Sequence, residues 1–466
     1  MSEVKMKTNN SQIEKNIFLE MSIKDILTKF RSKEISPLDI AEECIDRINE
    51  YDEKYKVWVC FDKEKIFEQS EVAARKINDG DTLRKLEGIP VGIKDIFNTY
   101  DFPTQMGSPL WVGFTPGNDA RVIYYLKEAG AIIPGKTDTA EFAVHEIGNC
   151  LNPHDITRTP GTSSSGSAVA VALGMVPAAI GTQTAGSIVR PASFCGVYGC
   201  KPSFGLIPRT GMLKTTDSLD TIGFFTSIYE DLETVFDVVR VHGENYPMSH
   251  FALTDEKRQN KPSGRKWRVA FAKTHTWEYA PEYAKQSIEE LVKKISLTED
   301  IEIEEANLPD ITKQSHEVHQ MIYDKTLSYY FQEEFKKPEF ISPVMNEIFE
   351  RGNKITVDQY HNSLTNQEKI VLAMEKYFED IDIIISLSSA GAAPLRNESE
   401  KPDPSLMWTL SHLPVVSCPV FVSPDGLPFG IQITARKYND LQLFRFTDHL
   451  RKNGLIPEGV NPIVHS

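Results

Sequence analysis

The middle of the chain, residues 159–225, most constrains the fold because it combines a loop-like composition with runs of apolar residues. Gly, Ser, Thr and Pro are dense there, yet residues 168–173 and 176–180 are continuous apolar segments. A flexible linker lacks such runs, so we expect a loop-rich core in which glycines let backbone approach backbone. The most apolar stretch, residues 168–180, is too short to span a bilayer and is interrupted by a glycine and a proline. We therefore expect no membrane association.

Apolar periodicity on both sides of this segment alternates between the helical and the extended kind, which is typical of an α/β protein. Helical stripes predict helices at residues 21–30, 37–51, 120–129, 283–295, 316–335 and 357–378. Short apolar runs predict strands at residues 89–97, 131–134, 267–272, 301–305, 381–387, 415–422 and 430–434. The late strands imply that the C-terminal part rejoins one sheet.

The chain length leaves the domain organisation open between two domains and one large sheet with layers of helices. Residues 1–20 are interpreted as a polar N-terminal extension and residues 21–466 as the main domain. Within that domain, residues 86–223 hold the unusual motifs. Residues 243–266 are charged and polar and predict an exposed crossing to a variable, sheet-completing half at residues 267–466.

Charge and cysteine usage exclude several classes of protein. Asp and Glu outnumber Lys and Arg by 66 to 51, a net charge of −15 that disfavours a nucleic-acid surface. The six cysteines are scattered without the spacing of a zinc site, so we expect reduced thiols and no metal. Residues 1–15 lack the apolar stretch of a signal peptide, which predicts a cytoplasmic location.

Three segments stand apart from ordinary core sequence because each places a polar residue beside glycines. They are Gly-Ile-Pro-Val-Gly-Ile-Lys-Asp ending at Asp95, Pro-Gly-Thr-Ser-Ser-Ser-Gly-Ser ending at Ser167, and Gly-Thr-Gln-Thr-Ala-Gly-Ser-Ile-Val-Arg-Pro ending at Pro191. A Gly-Ser-rich loop before a helix can hold phosphate, but no GxxxxGK[ST] pattern is present, which argues against a nucleotide P-loop.

In this order the three segments resemble the amidase signature family, with its GxPxxxKD strand end, GGSS-type loop and GTDxGGS-type loop. Ser163 and Ser187 are 24 residues apart, as in that family. The similarity is strongest over residues 86–223 and 408–441, where residues 426–432 look like the family's closing strand. The resemblance implies a single α/β/α sandwich, a large mixed sheet covered by helices, of the stand-alone amidase type.

By position, the resemblance implies a Ser-Ser-Lys triad with Ser187 as nucleophile, Lys94 as base and Ser163 as the bridging serine, which the family holds in a cis peptide. A serine hydroxyl attacks only when its proton is removed, and a lysine can remove it only when neutral. The apolar residues around Lys94 favour the burial that lowers a lysine pKa. The alternative without a catalytic role is an exposed ion pair between Lys94 and Asp95.

The turn before the nucleophile can present successive N–H groups to a tetrahedral intermediate, and the resemblance points to the same oxyanion hole. Three residues depart from the family's commonest pattern: Ala185 and Thr162 replace glycines, and Gln183 stands where an Asp is usual. None of them removes a reacting atom. The four residues of the expected oxyanion hole are Thr184, Ala185, Gly186 and Ser187.

Four further residues are candidates for substrate binding. Arg190 follows the nucleophile by three residues and can hold a substrate carboxylate, or else it is a buried arginine paired with an internal carboxylate. Gln183 and Met106 are interpreted as pocket-lining residues, and Ser164 as a supporting hydrogen-bond donor. The eleven histidines show no ligand spacing and are treated as surface or core residues.

The leading functional hypothesis is a stand-alone amidase that cleaves a small or medium, non-peptide or small linear, amide through an acyl-enzyme without a cofactor. The expected partner is the small-molecule substrate, and a homodimer is left open.

A second hypothesis is the glutamine-hydrolysing amidase subunit of a tRNA-dependent amidotransferase; the net charge and the weak match over residues 307–377 argue against it. A third, a binding protein that lost the chemistry, conflicts with retention of the three reacting residues.

Overall fold

A computed structural model describes residues 16–261 and 263–460 of the chain. Across these residues eleven strands form one continuous sheet. Most of them are short, and β10 and β11 are the longest, with eight residues each. The strands are β1 (Trp58–Phe61), β2 (Val91–Lys94), β3 (Gly135–Thr137), β4 (Ala178–Gln183), β5 (Tyr198–Lys201), β6 (Thr221–Thr226), β7 (Trp267–Phe271), β8 (Ile301–Glu305), β9 (Ile383–Leu387), β10 (Val415–Val422) and β11 (Pro428–Ala435).

The sheet is mixed, with the spatial order β1-β3-β2-β4-β6-β5-β10-β11-β9-β7-β8. Strand β2 runs parallel to its neighbours β3 and β4, and β7 runs parallel to β8 and β9. The other neighbouring pairs are antiparallel. The late strands β9–β11 join the motif-bearing strands in one sheet, so the predicted mixed α/β fold is confirmed.

Helices cover this sheet and bury its apolar side chains. Several begin with a side-chain cap; in α3, for example, Ser36 accepts from the Asp39 amide and Pro37 occupies the first turn. The helices are α1 (Ile17–Glu20), α2 (Ile23–Ser32), α3 (Pro37–Tyr55), α4 (Lys63–Asp79), α5 (Arg121–Glu128), α6 (Ser165–Ala172), α7 (Val189–Cys195), α8 (Asp231–Val239), α9 (Pro247–Thr254), α10 (Glu256–Gln259), α11 (Glu282–Ile295), α12 (Ser315–Tyr330), α13 (Pro343–Lys354), α14 (Val357–Tyr377), α15 (Leu406–Leu410) and α16 (Asp440–Lys452).

One predicted strand lies a few residues from its observed position. Residues 131–134 make only an isolated bridge, between Ile132 and Pro90, and the strand itself is β3 at Gly135–Thr137. Gly135 explains the shift, because a Cβ there would lie 2.0 Å from the Cys60 carbonyl oxygen on β1. The glycine lets β3 pair closely with β1, which the apolar run alone does not reveal.

Two segments interpreted as polar connections carry ordered structure. The crossing at residues 243–266 contains the short helices α9 and α10, with Ala252 and Gln259 buried. Gln259 donates to the Ala252 and Tyr438 carbonyls and so ties the crossing to the chain before α16. Of the expected N-terminal extension, residues 1–15 lie outside the described residues, whereas α1 packs with Phe18 fully buried.

No helix within the described ranges is long and apolar enough to cross a membrane. In the same ranges, no group of three or more His, Cys, Asp or Glu side chains is arranged to hold a metal ion. All six cysteines are free thiols.

Candidate active site

The three sequence motifs meet at the carboxyl ends of the parallel strands β2 and β4. Lys94 is the last residue of β2 and Gln183 the last of β4. Helix α6 begins at Ser165, directly after the first serine loop, and α7 begins at Val189, directly after the second. In open α/β sheets ligands bind at this end of the strands.

The Lys94 amino group lies among three hydroxyls. Its Nζ is 2.8 Å from Ser163 Oγ, 3.0 Å from Ser164 Oγ and 3.0 Å from Thr182 Oγ1. Thr182 belongs to β4, whose pairing with β2 brings it beside Lys94. Sequence reasoning did not single out Thr182, although it lies inside the third motif next to Gln183.

Lys94 is fully buried and forms no ion pair among the residues described. Burial lowers its pKa well below the ordinary value of a lysine, and the more distant Asp220 only partly opposes the shift. Asp95 pairs instead with Lys136, at 3.1 Å between Oδ1 and Nζ. The exposed Lys94–Asp95 ion pair considered from the sequence is therefore wrong.

Ser164 is a fixed part of the lysine environment. Its hydroxyl donates to the Thr182 carbonyl at 3.1 Å and accepts from the Thr182 amide at 3.2 Å. Because its proton is committed to a carbonyl, Ser164 accepts a hydrogen bond from Lys94. The side chain is fully buried, so the expected contact between Ser164 and a substrate is not supported.

Ser187 lies in the same region but its hydroxyl makes no hydrogen bond within the described part of the chain. The two serine loops are joined by Arg190, which donates to the Thr162 carbonyl at 2.8 Å. The peptide bond between Thr162 and Ser163 is cis. The structure therefore places Lys94 and Ser163 in contact and leaves the Ser187 oxygen free for a further partner.

The side chain of Thr184 anchors the turn before Ser187. Its hydroxyl donates to Asp220 Oδ1 at 2.9 Å. Asp220 is buried and also accepts from the backbone amides of Thr215 and Thr216. The acid is thus stabilised by several donors, and its role in holding the turn was not predicted from the sequence.

Arg190 forms a buried ion cluster with two carboxylates. Its Nη1 lies 2.8 Å from Asp403 Oδ2, and its Nε lies 2.8 Å from Glu400 Oε2. Both carboxylates come from the segment before α15. These contacts agree with the second sequence interpretation of Arg190, a buried arginine paired with internal carboxylates, and they leave its positive charge compensated before any substrate binds.

Gln183 and Met106, which the sequence predicts as pocket-lining residues, are both buried. Gln183 is fully buried, and its amide oxygen accepts from the Ile188 and Val189 amides while its Nε2 donates to Thr409 Oγ1 at 2.9 Å. It fixes the start of α7, because an amide can accept and donate at once. Met106 is buried in the hydrophobic core. Neither side chain is among those that line the cavity described next, and a role of either residue in substrate binding stays a prediction.

A cavity of about 590 Å³ opens beside the turn that precedes Ser187 and reaches Ala185 and Arg190. Contrary to the sequence interpretation of the histidines as simple surface or core residues, three of them line it: His145, His316 and His319. Burial lowers the pKa values of His145 and His319 to about 4, so both imidazoles are neutral at physiological pH. The cavity also contains the Arg351–Asp324 ion pair.

Fold and site together define a class: an α/β enzyme scaffold with one mixed sheet and a lysine–hydroxyl cluster at the ends of its parallel strands. The amidase family pattern matches residues 39–444, most of the chain. The protein belongs to the amidase signature family of amide-hydrolysing enzymes, which confirms the resemblance drawn from its three motifs.

The similar proteins carry two kinds of name. A glutamyl-tRNA(Gln) amidotransferase subunit of Sulfurihydrogenibium sp. (strain YO3AOP1) is 30% identical over 465 residues, 90% of this chain and 94% of the relative. The solved structure of the subunit of the same name from Thermotoga maritima has a TM-score of 0.75 and 25% identity, covering 96% of this chain and 99% of the relative. A peptide amidase from Stenotrophomonas maltophilia shares the fold, with a TM-score of 0.80 and 20% identity over 96% and 99% of the two chains.

Proposed function

We propose that the protein hydrolyses a carbon–nitrogen amide bond through an acyl-enzyme on Ser187, with Ser163 as proton relay and Lys94 as general base. The observation that carries the proposal is the buried Lys94, which contacts Ser163 Oγ at 2.8 Å and has no carboxylate partner among the residues described. Burial without a counter-ion favours the neutral amine, and only a neutral amine can accept a proton.

The hydrogen-bond pattern supports a defined proton path. A neutral amine has two N–H donors and one lone pair, and Lys94 has three hydroxyl neighbours. Ser164 already donates to a carbonyl, so the lone pair accepts from Ser163 or Thr182. We assign the relay to Ser163, the bridging serine that the family resemblance implies. For the relay, Ser187 Oγ must come within hydrogen-bond distance of Ser163 Oγ, a contact that in many enzymes tightens when substrate binds.

The chemistry follows from this path. Ser163 passes its proton to Lys94 and takes the proton of Ser187, whose oxygen bonds to the amide carbon. The carbonyl oxygen becomes an oxyanion, which we place against the N–H groups of the turn that ends at Ser187. When the C–N bond breaks, the leaving nitrogen receives the proton back from Lys94 through Ser163. Water then cleaves the acyl ester by the same route.

We propose glutamine as the amide substrate that the sequence comparisons favour. A relative named as a glutamyl-tRNA(Gln) amidotransferase subunit matches this chain over nine-tenths of its length, and a solved structure of the same name matches over a similar share. These matches outweigh the net charge and the weak local similarity that favoured the stand-alone hypothesis. On this proposal the protein releases ammonia from glutamine and works with a partner protein.

A stand-alone amidase is the second candidate, and the cavity favours it. A volume of about 590 Å³ is in the range of pockets that hold ligands larger than a single amino acid. The Arg190 charge is taken by Glu400 and Asp403, so it is not available as a dedicated partner for a glutamine carboxylate. Both candidates use the same reacting residues and differ in the acyl group and in the need for a partner protein.

A fluorophosphonate probe tests the reaction class. We expect labelling of the purified protein that disappears in Ser187→Ala and persists in Ser193→Ala, a matched buried serine of α7 that bonds to Ser389. Labelling that survives in Ser187→Ala contradicts the assignment of the nucleophile.

Ammonia release then separates the two substrates. Turnover of glutamine that exceeds turnover of larger primary amides supports the amidotransferase hypothesis. Efficient cleavage of the larger amides with no turnover of glutamine contradicts the glutamine assignment and supports the stand-alone enzyme.

A further inference from the structure

The turn before Ser187 is held from outside by three hydrogen bonds to consecutive carbonyl groups. The Thr184 carbonyl accepts from His319 Nε2 at 2.8 Å, and the Ala185 carbonyl accepts from Thr409 Oγ1 at 2.7 Å. The Gly186 carbonyl accepts from the Arg190 amide at 2.9 Å. The donors belong to α12, α15 and α7, so three separate helices fix one short stretch of backbone.

These bonds determine where the amide groups of the turn point. In a planar trans peptide the carbonyl oxygen and the following N–H point in opposite directions. A Thr184 carbonyl directed at His319 therefore turns the Ala185 N–H to the other side, and the same holds for the two peptides that follow. None of these three N–H groups donates to another group in the described chain, so they are free to bind a ligand oxygen.

We infer that His319 is a positioning residue that aims the N–H groups of the oxyanion turn by holding the Thr184 carbonyl. The inference rests on the proposed acyl-enzyme mechanism and adds to it a residue that does not touch the reacting atoms. His319 is the sole partner of the Thr184 carbonyl among the described residues. Thr409, by contrast, is not alone in fixing this region. Gln183 donates to the Thr409 hydroxyl and also accepts from the Ile188 amide at the start of α7.

His319 is suited to this task by its surroundings. It is buried, its ring stacks on Tyr323 with centroids 5.5 Å apart, and helix α12 packs on α15. Because a carbonyl can only accept, Nε2 carries the proton. Burial keeps the pKa of the ring at about 4, so the imidazole is a neutral donor at neutral pH and adds no charge beside the oxyanion.

The decisive experiment replaces His319 by Phe, which keeps a ring beside Tyr323 and removes the donor. Loss of one oxyanion donor costs about 10²–10³-fold in other enzymes, and a misdirected donor costs part of that, so we expect kcat to fall about 10- to 100-fold. The loss should fall mainly on kcat and much less on KM, because the N–H groups of the turn bind the oxyanion more strongly than the carbonyl of the bound amide. His319→Gln keeps a donor and should recover part of kcat, which a merely structural role does not predict.

The matched control is His154→Phe. His154 Nε2 also bonds a backbone carbonyl, that of Cys195 at 3.0 Å, but at the far end of α7 and away from the turn. We expect this variant to lose a similar amount of thermal stability and to keep kcat. If His319→Phe does not fold, the test uses His319→Gln. A kcat of this variant below those of wild type and His154→Phe supports the inference, and an equal kcat contradicts it.

Three results overturn the inference. They are a kcat for His319→Phe within about twofold of that of His154→Phe, a raised KM with unchanged kcat, and no recovery of kcat in His319→Gln. Failure of the proposed function is distinct, because wild-type protein then shows neither fluorophosphonate labelling nor amide turnover, whatever the state of residue 319.

Discussion

Two buried lysines on neighbouring strands show how the same side chain acquires opposite roles. Lys94 on β2 and Lys136 on β3 lie one register position apart, with Ile93 opposite Lys136, and both are fully buried. Lys136 contacts Asp95 at 3.1 Å and donates to the Phe97 carbonyl at 2.7 Å. Within the described part of the chain, the hydrogen bonds of the Lys94 amino group all go to hydroxyls. Burial lowers the pKa of both lysines, but a carboxylate in direct contact opposes the shift for Lys136 alone.

The comparison teaches that burial by itself does not make a base. A carboxylate partner favours the charged form of a buried lysine, whereas burial among hydroxyls favours the neutral amine that the proposed mechanism requires. The predictions below test this contrast, beginning with the largest effect.

Exchanging each lysine for Met should separate catalysis from stability. Lys94→Met removes the base, and we expect kcat to fall about 10³-fold with no loss of unfolding free energy, since a neutral amine forms no ion pair. Lys136→Met leaves the Asp95 carboxylate buried without its partner, so the free energy of unfolding should fall by about 3–5 kcal/mol. The folded fraction should keep its kcat. Steady-state kinetics and denaturant unfolding measure both quantities. Unchanged turnover in Lys94→Met contradicts the assignment of the base.

Arg190 extends the contrast to a cation with two carboxylates. Arg190→Met leaves Glu400 and Asp403 uncompensated, and Asp403 lies so close to the turn that a Cβ on Gly186 would be 1.6 Å from its Oδ2. Uncompensated negative charge beside an oxyanion disfavours it, so we expect kcat/KM to fall about 10²-fold, equally for acidic and neutral amides.

The rescue variant for this prediction is Arg190→Met combined with Glu400→Gln and Asp403→Asn. Removing the stranded charges should restore most of the activity. A selective loss for acidic amides, without recovery in the triple variant, supports the substrate-carboxylate role instead.

The dependence of kcat/KM on pH should reflect the ionisation of Lys94. Its pKa is lowered by burial, and the proposed mechanism requires the neutral form, so we expect kcat/KM to rise with pH through that lowered pKa. Well below it, activity should change about tenfold per pH unit. Lys136→Met should keep this limb of the profile. A flat profile from acid to alkaline pH is incompatible with a lysine base.

Stability should show the same ionisation with a defined sign. The unfolded chain binds the Lys94 proton up to a pKa of about 10.4, whereas the folded chain releases it at lower pH. Folding therefore costs free energy below the unfolded pKa, and this cost diminishes as pH rises toward it. We expect the unfolding free energy of wild type to rise with pH relative to Lys94→Met.

The smallest expected effect concerns Thr182. Thr182→Val keeps the shape of the side chain and removes one of three hydroxyl contacts to Lys94. A single neutral hydrogen bond is worth about 1 kcal/mol, so kcat/KM should fall roughly 3- to 10-fold. Thr182→Ser restores the hydroxyl and should restore activity. Equal losses in both variants show that packing, and not the hydroxyl, matters at this position.

Local sequence was sufficient for the elements and the motifs. Strands β8 and β10 coincide with the predicted residues. Strand β10 is an apolar run that is buried over most of its length, whereas β8 is an edge strand in which Ile301 is the buried residue. The contact between Lys94 and Ser163 agrees with the roles that the family resemblance implies for their two motifs. Strand β3 was misplaced because a backbone contact to β1, and not an apolar side chain, defines it.

Contacts between residues that are far apart in the chain could not be predicted from the sequence. His319 lies 135 residues from Thr184, and Asp403 lies 213 residues from Arg190. The sequence predicts Gln183 as a pocket residue because it adjoins the loop of Ser187, yet its side chain is fully buried. Direction of a side chain depends on backbone geometry that proximity in sequence does not define.

The sequence by itself determined the family, the mixed α/β scaffold and the order of the three reactive motifs, because these depend on local residue patterns. Only the tertiary structure decided which lysine has a carboxylate, that Arg190 is already paired, and which helices hold the turn before Ser187. The physical reason is that a charge is stabilised or suppressed by whatever packs against it, and those neighbours come from distant parts of the chain.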